Sequence, residues 1–277
     1  MSAAKICRRV LVSALLLAAW PAQLAASDGA GRMDVTPKTV AAGTKGTALV
    51  FTFTADSGAL RGQTLVDVPR LWSMPQASKP GAAGYVTLQR GSCGAGTRIV
   101  RVVGRKILIN AFCGRGGRYT LTYAPVDVAT LAPNGYVFLT QTRAAPKPGA
   151  SVQARRRLRF HPLAPGKQPI VVVTGAPIDH LQVIATSVAG AGTAFGLTVR
   201  GVDAYGNTAG GYANSVTFTS TDPNATLPIP YKFSSADAGS HAFSGVALRT
   251  VGVQHITATD DAGHSATSNP INVSASS

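Results

Sequence analysis

The sequence predicts an all-β protein built from two tandem β-sandwiches. Short runs rich in Val, Thr and aromatic residues alternate with turn-forming residues, which include 30 glycines and 17 prolines. The chain contains no glutamate, which is a good helix former, and few windows show the spacing of an amphipathic helix. A mature chain of about 250 residues is long enough for two ordinary domains, each with its own core.

Residues 1–27 have the composition of a cleaved secretory signal peptide. Lys5, Arg8 and Arg9 precede the apolar run Val10–Trp20, and small residues follow that run. No later segment approaches about 20 continuous apolar residues, so we expect no transmembrane anchor. We therefore predict a secreted protein that is extracellular, on the cell surface or periplasmic.

Residues 28–175 are predicted to form the first sandwich. Short β-patterned runs recur at the spacing of such a fold, and turn chemistry separates them, as at Ala42-Gly43-Thr44 and Pro133-Asn134-Gly135. We expect this domain to end near Gly175, because Ile170–Val173 fits the last strand of a sandwich better than a free linker. The predicted strands are Met33–Thr36, Thr47–Thr54, Gln63–Val68, Gly84–Leu88, Thr97–Val103, Lys106–Phe112, Arg118–Tyr123, Tyr136–Thr142 and Pro169–Thr174.

Cys93 and Cys113 are the two cysteines that remain once the signal peptide is removed. In an exported protein, one disulfide is the natural interpretation. A two-residue turn at Gly104-Arg105 makes a hairpin between them, and the irregular residues 91–96 absorb the offset of the two cysteines from its register. The bridge would close the base of the hairpin. A redox role is the alternative, which the long spacing and the absence of a CxxC motif disfavour.

Positive charge is concentrated in the first domain. Residues 28–167 contain twenty Lys and Arg against five Asp, whereas residues 168–277 contain three against six. Guanidinium groups clamp phosphate, sulfate or carboxylate through paired hydrogen bonds, so an arginine cluster in a proline-rich excursion is the candidate site for acidic polymers. A solvated basic loop is the alternative. The candidate residues are Arg155, Arg156, Arg157 and Arg159.

Residues 176–277 are predicted to form the second sandwich. In its most informative segment, Val199–Ser220, two β-patterned runs flank the turn Asp203-Ala204-Tyr205-Gly206-Asn207. Gly206 and Asn207 tolerate positive φ, and the Asp203 side chain can bond backbone amides. We expect this turn to shape a strand connection, and the binding features to lie in the first domain. The predicted strands are Leu181–Thr186, Thr193–Val202, Ser215–Ser220, His241–Leu248, Gln254–Thr259 and Ile271–Ser274.

The segment Asp203–Asn207 resembles the DAYGN signature of bacterial immunoglobulin-like repeats of the invasin and intimin type. The resemblance covers most of the second domain, including Ala189–Thr193, Ser220–Pro223 and Gly252–Asp260. It implies an immunoglobulin-like fold in a surface or secreted protein, and it supplies no catalytic residues to transfer. The first domain is similar, more loosely, to another immunoglobulin-like module of bacterial secreted proteins, through Val68–Gln76, Ala83–Thr87, the two cysteines and Thr120–Tyr123.

The sequence contains no GxSxG elbow, Walker loop, HExxH motif or zinc-type CxxC pair. A catalytic carboxylate pair, such as Asp203 and Asp260, would have to be formed by two aspartates because the chain has no glutamate. We expect these aspartates instead to accept hydrogen bonds within loops. Asp222, Asp260 and Asp261 are the alternative calcium ligands, although they lack EF-hand spacing. Trp72 is either a carbohydrate-stacking platform or, as its apolar neighbours favour, a core residue. We expect no cofactor and no metal.

These observations predict a non-enzymatic secreted or cell-surface interaction and adhesion module built of immunoglobulin-like domains. Its partner would be an unidentified protein or an acidic glycan on a cell envelope or matrix. The alternative is an electrostatic binder of acidic polymers, either acidic glycan or nucleic acid, through the basic first domain. Sequence-specific nucleic-acid recognition is disfavoured, because no RRM or helix-turn-helix pattern accompanies the arginines. A hydrolase is the third alternative.

Overall fold

The computed structural model describes residues 29–56, 58–145, 149, 151, 153 and 158–275. These residues form two tandem immunoglobulin-like β-sandwiches, which confirms the predicted fold class. Two separate apolar clusters lie within residues 33–173 and within residues 181–273, so each domain has its own core. The predicted signal peptide lies outside the described residues. In the part of the chain that the structure describes, no helix is long and apolar enough to cross a membrane.

Among its described residues, the first domain contains twelve strands in three sheets. The strands are β1 Arg32–Thr36, β2 Thr39–Ala41, β3 Thr47–Thr54, β4 Leu60–Asp67, β5 Val86–Gln89, β6 Arg98–Val103, β7 Lys106–Cys113, β8 Arg118–Val126, β9 Tyr136–Val137, β10 Thr140–Ala144, β11 His161–Pro162 and β12 Ile170–Thr174. The four-stranded sheet has the order β1-β3-β8-β5, the five-stranded sheet has the order β11-β10-β4-β7-β6, and the three-stranded sheet has the order β2-β12-β9.

Alternation along β3 and β8 builds the centre of the first core. Leu49, Phe51 and Phe53 are buried on one face of β3. In the register of the sheet, Phe51 lies opposite Leu121 and Phe53 lies opposite Tyr119, and the last two rings stack with centroids 5.1 Å apart. These cross-strand pairs bury aromatic area at the sheet interior, which is the main source of stability in such a core.

Trp72 is a core residue and not an exposed stacking platform. Its side chain is 2% exposed. Its indole meets the edges of Tyr136 and Phe138, with ring centroids 5.6 and 5.2 Å away. The Arg105 guanidinium donates hydrogen bonds to the carbonyls of Pro69 and Trp72, at 2.8 and 3.0 Å. The segment that carries the indole is therefore held on both sides.

The predicted disulfide between Cys93 and Cys113 is present. Both cysteines are buried, with Cys113 ending β7. The predicted hairpin is also confirmed, because Val103 pairs with Lys106 across Gly104-Arg105. The bridge joins the base of this hairpin to the preceding loop.

Two irregularities bring the cysteines into register. The pairing of β6 with β7 shifts by one residue between Ile99 and Arg101, which is a β-bulge. Beyond the bulge, a turn at Gly94 replaces the ladder: the Gly94 amide donates to the Phe112 carbonyl, and the Phe112 amide donates to the Thr97 hydroxyl. The loop absorbs part of the offset, as predicted, and the bulge absorbs the rest.

Within residues 176–275, the second domain contains ten strands. Its sheets have the orders β13-β15-β18, β17-β16-β20-β21 and β14-β22-β19. The central strands bury Leu197, Val199, Val216, Ile256 and Ala258. The strands are β13 His180–Ala185, β14 Val188–Gly190, β15 Phe195–Val202, β16 Ser215–Ser220, β17 Tyr231–Lys232, β18 Ser240–Val246, β19 Gly252–Gln254, β20 Ile256–Asp260, β21 Ser265–Thr267 and β22 Ile271–Ser274.

The structure divides two of the predicted strands. The predicted strand Tyr136–Thr142 is interrupted because the Gln168 side chain takes the place of a neighbouring strand at Thr140. The Gln168 Oε1 accepts from the Thr140 amide, and its Nε2 donates to the Thr140 carbonyl. Gln254–Thr259 is divided between β19 and β20, which pair with different sheets. Within the predicted turn, Gly206 has positive φ and Asn207 does not.

Asp222 is a buried carboxylate that holds two loops of the second domain. It is 3% exposed and accepts hydrogen bonds from the backbone amides of Asn224, Arg249 and Thr250 and from the Thr250 hydroxyl. Burial raises its pKa, but the four donors lower it more, so that the pKa of Asp222 is about 2. The ionised form is therefore the one that stabilises the fold.

The second domain should lose stability as the pH falls from about 5 to about 2, because Asp222 must be protonated below its usual pKa of about 3.9. Replacing Asp222 with asparagine should lower stability at neutral pH and flatten this acid slope. Denaturant melts at several pH values measure both effects, with the exposed Asp261→Asn as the matched control. Equal acid slopes in wild type and Asp222→Asn would contradict the assignment.

Candidate functional site

The solvent-facing side of the five-stranded sheet carries the candidate interaction surface. Along β4, the residues Leu60, Gly62, Thr64 and Val66 are buried, so the residues between them face outward. The same alternation applies to β7 and β10. The register therefore places side chains from four strands in rows across one face.

One of these rows is polar and ends in arginine on both sides. Arg98 lies opposite Asn110, Asn110 opposite Gln63, and Gln63 opposite Arg143. The Gln63 Nε2 donates to Asn110 Oδ1 at 3.0 Å, and the Arg143 Nε donates to Gln63 Oε1 at 2.9 Å. A second Arg143 nitrogen, Nη2, donates to the same oxygen. We call Arg98, Asn110, Gln63 and Arg143 the polar row.

The direction of these bonds leaves the polar row rich in donors. Both amide oxygens of the row accept from neighbours within it, whereas the Asn110 amide nitrogen and the Arg98 guanidinium donate to none of the residues that the structure describes. A surface that offers N–H groups and positive charge, with its own acceptors already used, is suited to the oxygens of carboxylate, sulfate or phosphate.

A cavity of about 280 Å³ lies beside the polar row. It is lined by Gln63, Asn110 and Arg143 together with the apolar side chains of Phe112 and Leu158. Phe112 is 41% exposed although it is aromatic. The Arg143 guanidinium carbon also lies 4.4 Å from the centre of the Phe160 ring, a cation–π contact that fixes the arginine in place.

Further positive charge surrounds the row. Arg61, Arg101 and Lys106 are exposed on the same face, and Lys106 pairs with Asp67 at 3.8 Å. Neither Arg98 nor Arg101 has an ion pair within the described ranges. We call the polar row with Arg61, Arg101 and Lys106 the basic face.

The predicted arginine cluster is only partly described. Arg155, Arg156 and Arg157 lie outside the described residues, and Arg159 is exposed. Its neighbours Leu158 and Phe160 pack at the cavity and against Arg143. The described end of the proline-rich excursion thus approaches the basic face. No local sequence motif joins Arg98, Asn110, Gln63 and Arg143, so the sequence alone does not point to them.

The turn Asp203–Asn207 has more than the local role that was expected. The Asp203 carboxylate is fully buried and accepts from the amides of Tyr205 and Asn207, which fixes the turn itself. It also accepts from the amide of Ala176, in the segment between the domains, at 2.8 Å. Burial raises the pKa of Asp203, but the Asn207 side-chain amide, which donates to it at 2.9 Å, and these backbone donors outweigh burial and hold its pKa below the usual range.

Asn207 joins the turn to the first domain. Its Nδ2 donates to the Thr130 carbonyl at 2.7 Å, and its Oδ1 accepts from the Ala132 amide at 2.9 Å. Tyr205 covers Gly43 so closely that a β-carbon on this glycine would collide with the tyrosine ring and its hydroxyl. The turn is therefore seated on the first domain, and the expectation that it only connects strands was too narrow.

The carboxylates considered for catalysis and calcium are engaged as turn acceptors. Asp260 accepts from the amides of Ala262 and His264, and from the side chains of Tyr212, Asn214 and His264. Asp203 and Asp222 are used in the same way, in different turns. Across the described part of the chain, no group of three His, Cys, Asp or Glu side chains comes together as a metal site would require.

No protein-family model and no curated protein matches the chain. Several solved structures align with most of the chain at low identity. FdeC, an adhesin of Escherichia coli, is 13% identical, with 92% of this chain covering 67% of that one at a TM-score of 0.39. InvE, an adhesin of Yersinia pseudotuberculosis, is 13% identical, with 88% covering 58% at a TM-score of 0.29.

A marsupial T cell receptor matches comparably, at 11% identity and a TM-score of 0.30, with 90% of this chain covering 73% of the receptor chain. At identities of 11 to 13% and TM-scores of 0.39 and below, these likenesses support no conclusion about function, so the evidence for a function has to come from the surface of this chain.

Proposed function

We propose that this chain is a non-enzymatic, secreted or cell-surface adhesion module of the bacterial immunoglobulin-like type, with a DAYGN repeat as its second domain. In this proposal, the first domain binds acidic polymers, such as an acidic glycan of an envelope or matrix, through the basic face. The observation that carries it is the polar row, whose acceptors are used internally and whose donors face solvent beside unpaired arginines.

The geometry suits an extended polyanion better than a small ligand. The polar row crosses four strands, which are spaced about 4.8 Å apart, so its two terminal arginines can meet different charged groups of one polymer. Positive charge on one face raises the local concentration of a polyanion and makes binding dependent on salt. The hydrogen bonds from Asn207 to the first domain hold the two sandwiches in contact. A spacer that presents this face would need such a contact.

Replacing Arg98 and Arg101 with glutamine should weaken retention on heparin, a sulfated glycan, and lower the salt concentration at which the protein elutes. Each charge removed from the contact releases about one counterion fewer, so the slope of log K against log salt should fall by about two. Binding titrations at several salt concentrations measure this slope.

The matched control is Lys38→Gln with Lys79→Gln, which removes the same charge at exposed positions outside the basic face. Equal loss in both double variants would mean that retention follows net charge, and would reject the basic face. The candidate arginines 155, 156, 157 and 159 are tested separately by alanine substitution. Retention that depends on them but not on Arg98 and Arg101 would place binding on the excursion instead.

A further inference from the structure

One wall of the cavity beside the polar row is an aromatic ring that is held in place. Phe112 follows Asn110 by two residues on β7, so both side chains lie on the outward face of the sheet. A β-carbon on Gly96 would lie 2.9 Å from the Phe112 ring, so the ring rests against this glycine, which precedes β6. The cavity lies on the other side of β7, where β4 is the neighbouring strand. One side of the ring is therefore packed, and the other faces the cavity.

The cavity has room for one small ring. Its volume of about 280 Å³ lies at the lower end of the range of ligand pockets, which is roughly 300–1,000 Å³. Leu158 adds a second apolar contact beside Phe112, whereas Gln63, Asn110 and Arg143 form a polar wall. A group that fits here needs an apolar face and a polar edge.

Asn110 keeps the hydrogen-bonding capacity that a hydroxyl group requires. Its Oδ1 accepts one bond, from Gln63 Nε2, although an amide oxygen has two lone pairs. Its Nδ2 donates to none of the residues that the structure describes. The Gln63 Oε1, in contrast, already accepts two bonds from Arg143. Asn110 can therefore both donate to a ligand and accept from it, which suits a hydroxyl better than a sulfate or phosphate group, whose oxygens only accept.

Positive charge lies in line with both of these side chains. In the register of the sheet, Arg61 is opposite Phe112 and Arg98 is opposite Asn110. Both arginines are exposed, and neither has an ion pair within the described part of the chain. An acidic substituent on a ring bound in the cavity would thus have a guanidinium group to pair with.

We propose that this cavity is a saccharide subsite that binds one pyranose ring of an acidic glycan. The apolar C–H face of the ring would stack on Phe112, a hydroxyl group would exchange hydrogen bonds with Asn110, and a carboxylate or sulfate group would face Arg61 or Arg98. The inference rests on the proposed function, and it narrows the partner from acidic polymers in general to polymers that are built of sugars.

A nucleobase is the other flat group that stacks on aromatic side chains. Proteins that bind single-stranded nucleic acid offer several aromatic rings to successive bases. Among the described residues, Phe112 and Tyr205 are the aromatic side chains with large exposed areas, and Tyr205 lies at the joint between the domains. A single aromatic ring beside a free amide group fits one sugar better than a series of bases.

Phe112→Leu tests the stacking contact, because it keeps an apolar side chain and removes the flat ring. Its affinity for heparin should fall about fivefold, which corresponds to the loss of one aromatic contact. Its slope of log K against log salt should not change, because no charge is removed, and its affinity for inorganic polyphosphate should change by less than about twofold. Binding titrations with both polymers at several salt concentrations measure these quantities.

Two further variants serve as controls. Phe112→Tyr keeps the ring and should retain the heparin affinity of the wild type to within about twofold. Val100→Ala removes exposed apolar surface from β6 outside the cavity and should leave both affinities unchanged. Thermal melts of each variant check that the fold is retained.

The outcomes separate this inference from the proposed function. Heparin binding that depends on Arg98 and Arg101 but is unchanged in Phe112→Leu would overturn the subsite and leave the basic face standing. An equal loss for heparin and polyphosphate would also overturn the subsite, and a loss for oligothymidylate as large as the loss for heparin would assign Phe112 to base stacking instead. Heparin binding that is independent of Arg98 and Arg101 would reject the proposed function and the subsite with it.

Discussion

Asp203→Ala is expected to lower the free energy of unfolding of the second domain by about 3 to 4 kcal/mol. The substitution removes a buried carboxylate and leaves the amides of Ala176, Tyr205 and Asn207 without their acceptor. Each unsatisfied buried group costs about 1–3 kcal/mol, so three of them would cost about 3–9 kcal/mol, and partial access to water at the turn keeps the loss near the low end of this sum. Urea unfolding monitored by tyrosine fluorescence measures the change, because Trp72 lies in the first domain and does not report on the second.

Two matched variants separate the local fold from the joint. Asp261→Ala removes an exposed aspartate from the same domain and should change stability by less than about 0.5 kcal/mol. Asn207→Ala keeps the backbone bond to Asp203 but loses the side-chain bond to Asp203 and both bonds to the first domain, so it should loosen the joint and cost about 1 kcal/mol. If Asp203→Ala were no more destabilising than Asp261→Ala, the carboxylate would not organise the turn.

Replacing both Cys93 and Cys113 with serine should destabilise the first domain by about 3 kcal/mol, since the bridge closes a loop of 20 residues in the unfolded chain. The bridge also fixes the end of β7 beside Phe112, so elution from heparin should shift to lower salt as well. Denaturant midpoints of the oxidised, reduced and double-serine proteins measure the first effect. Matching midpoints for all three would show that the bridge does not support the fold.

Strands with one buried face were predictable because their side chains alternate. Thr47–Thr54, Ser215–Ser220 and Ile271–Ser274 have the predicted bounds. The three-residue strands β2 and β14 were missed, because a run of that length is too short to show alternation. Their parallel partners lie more than 80 residues away, and no local pattern encodes that pairing.

The candidate site was predictable in its charge but not in its place. The excess of arginine in the first domain is evident from the sequence. Because the densest run of arginines includes Arg159, the sequence pointed to the proline-rich excursion as the binding site. Arg98 and Arg143 come together only because the register of four strands puts them in one row. In the same way, the bonds that Asp203 makes within the turn follow from local chemistry, whereas the contact of Asn207 with Thr130 depends on the tertiary arrangement of the domains.

The parallel pairing of β2 with β12 has a mechanical consequence. β2 lies near the beginning of the first domain, and β12 leads directly into the second. When the two ends of the first domain are pulled apart, neighbouring parallel strands slide along their own direction, so their hydrogen bonds are loaded together in shear and do not open one at a time. A domain clamped in this way resists tension along the chain, which is the load that a tether between two surfaces carries.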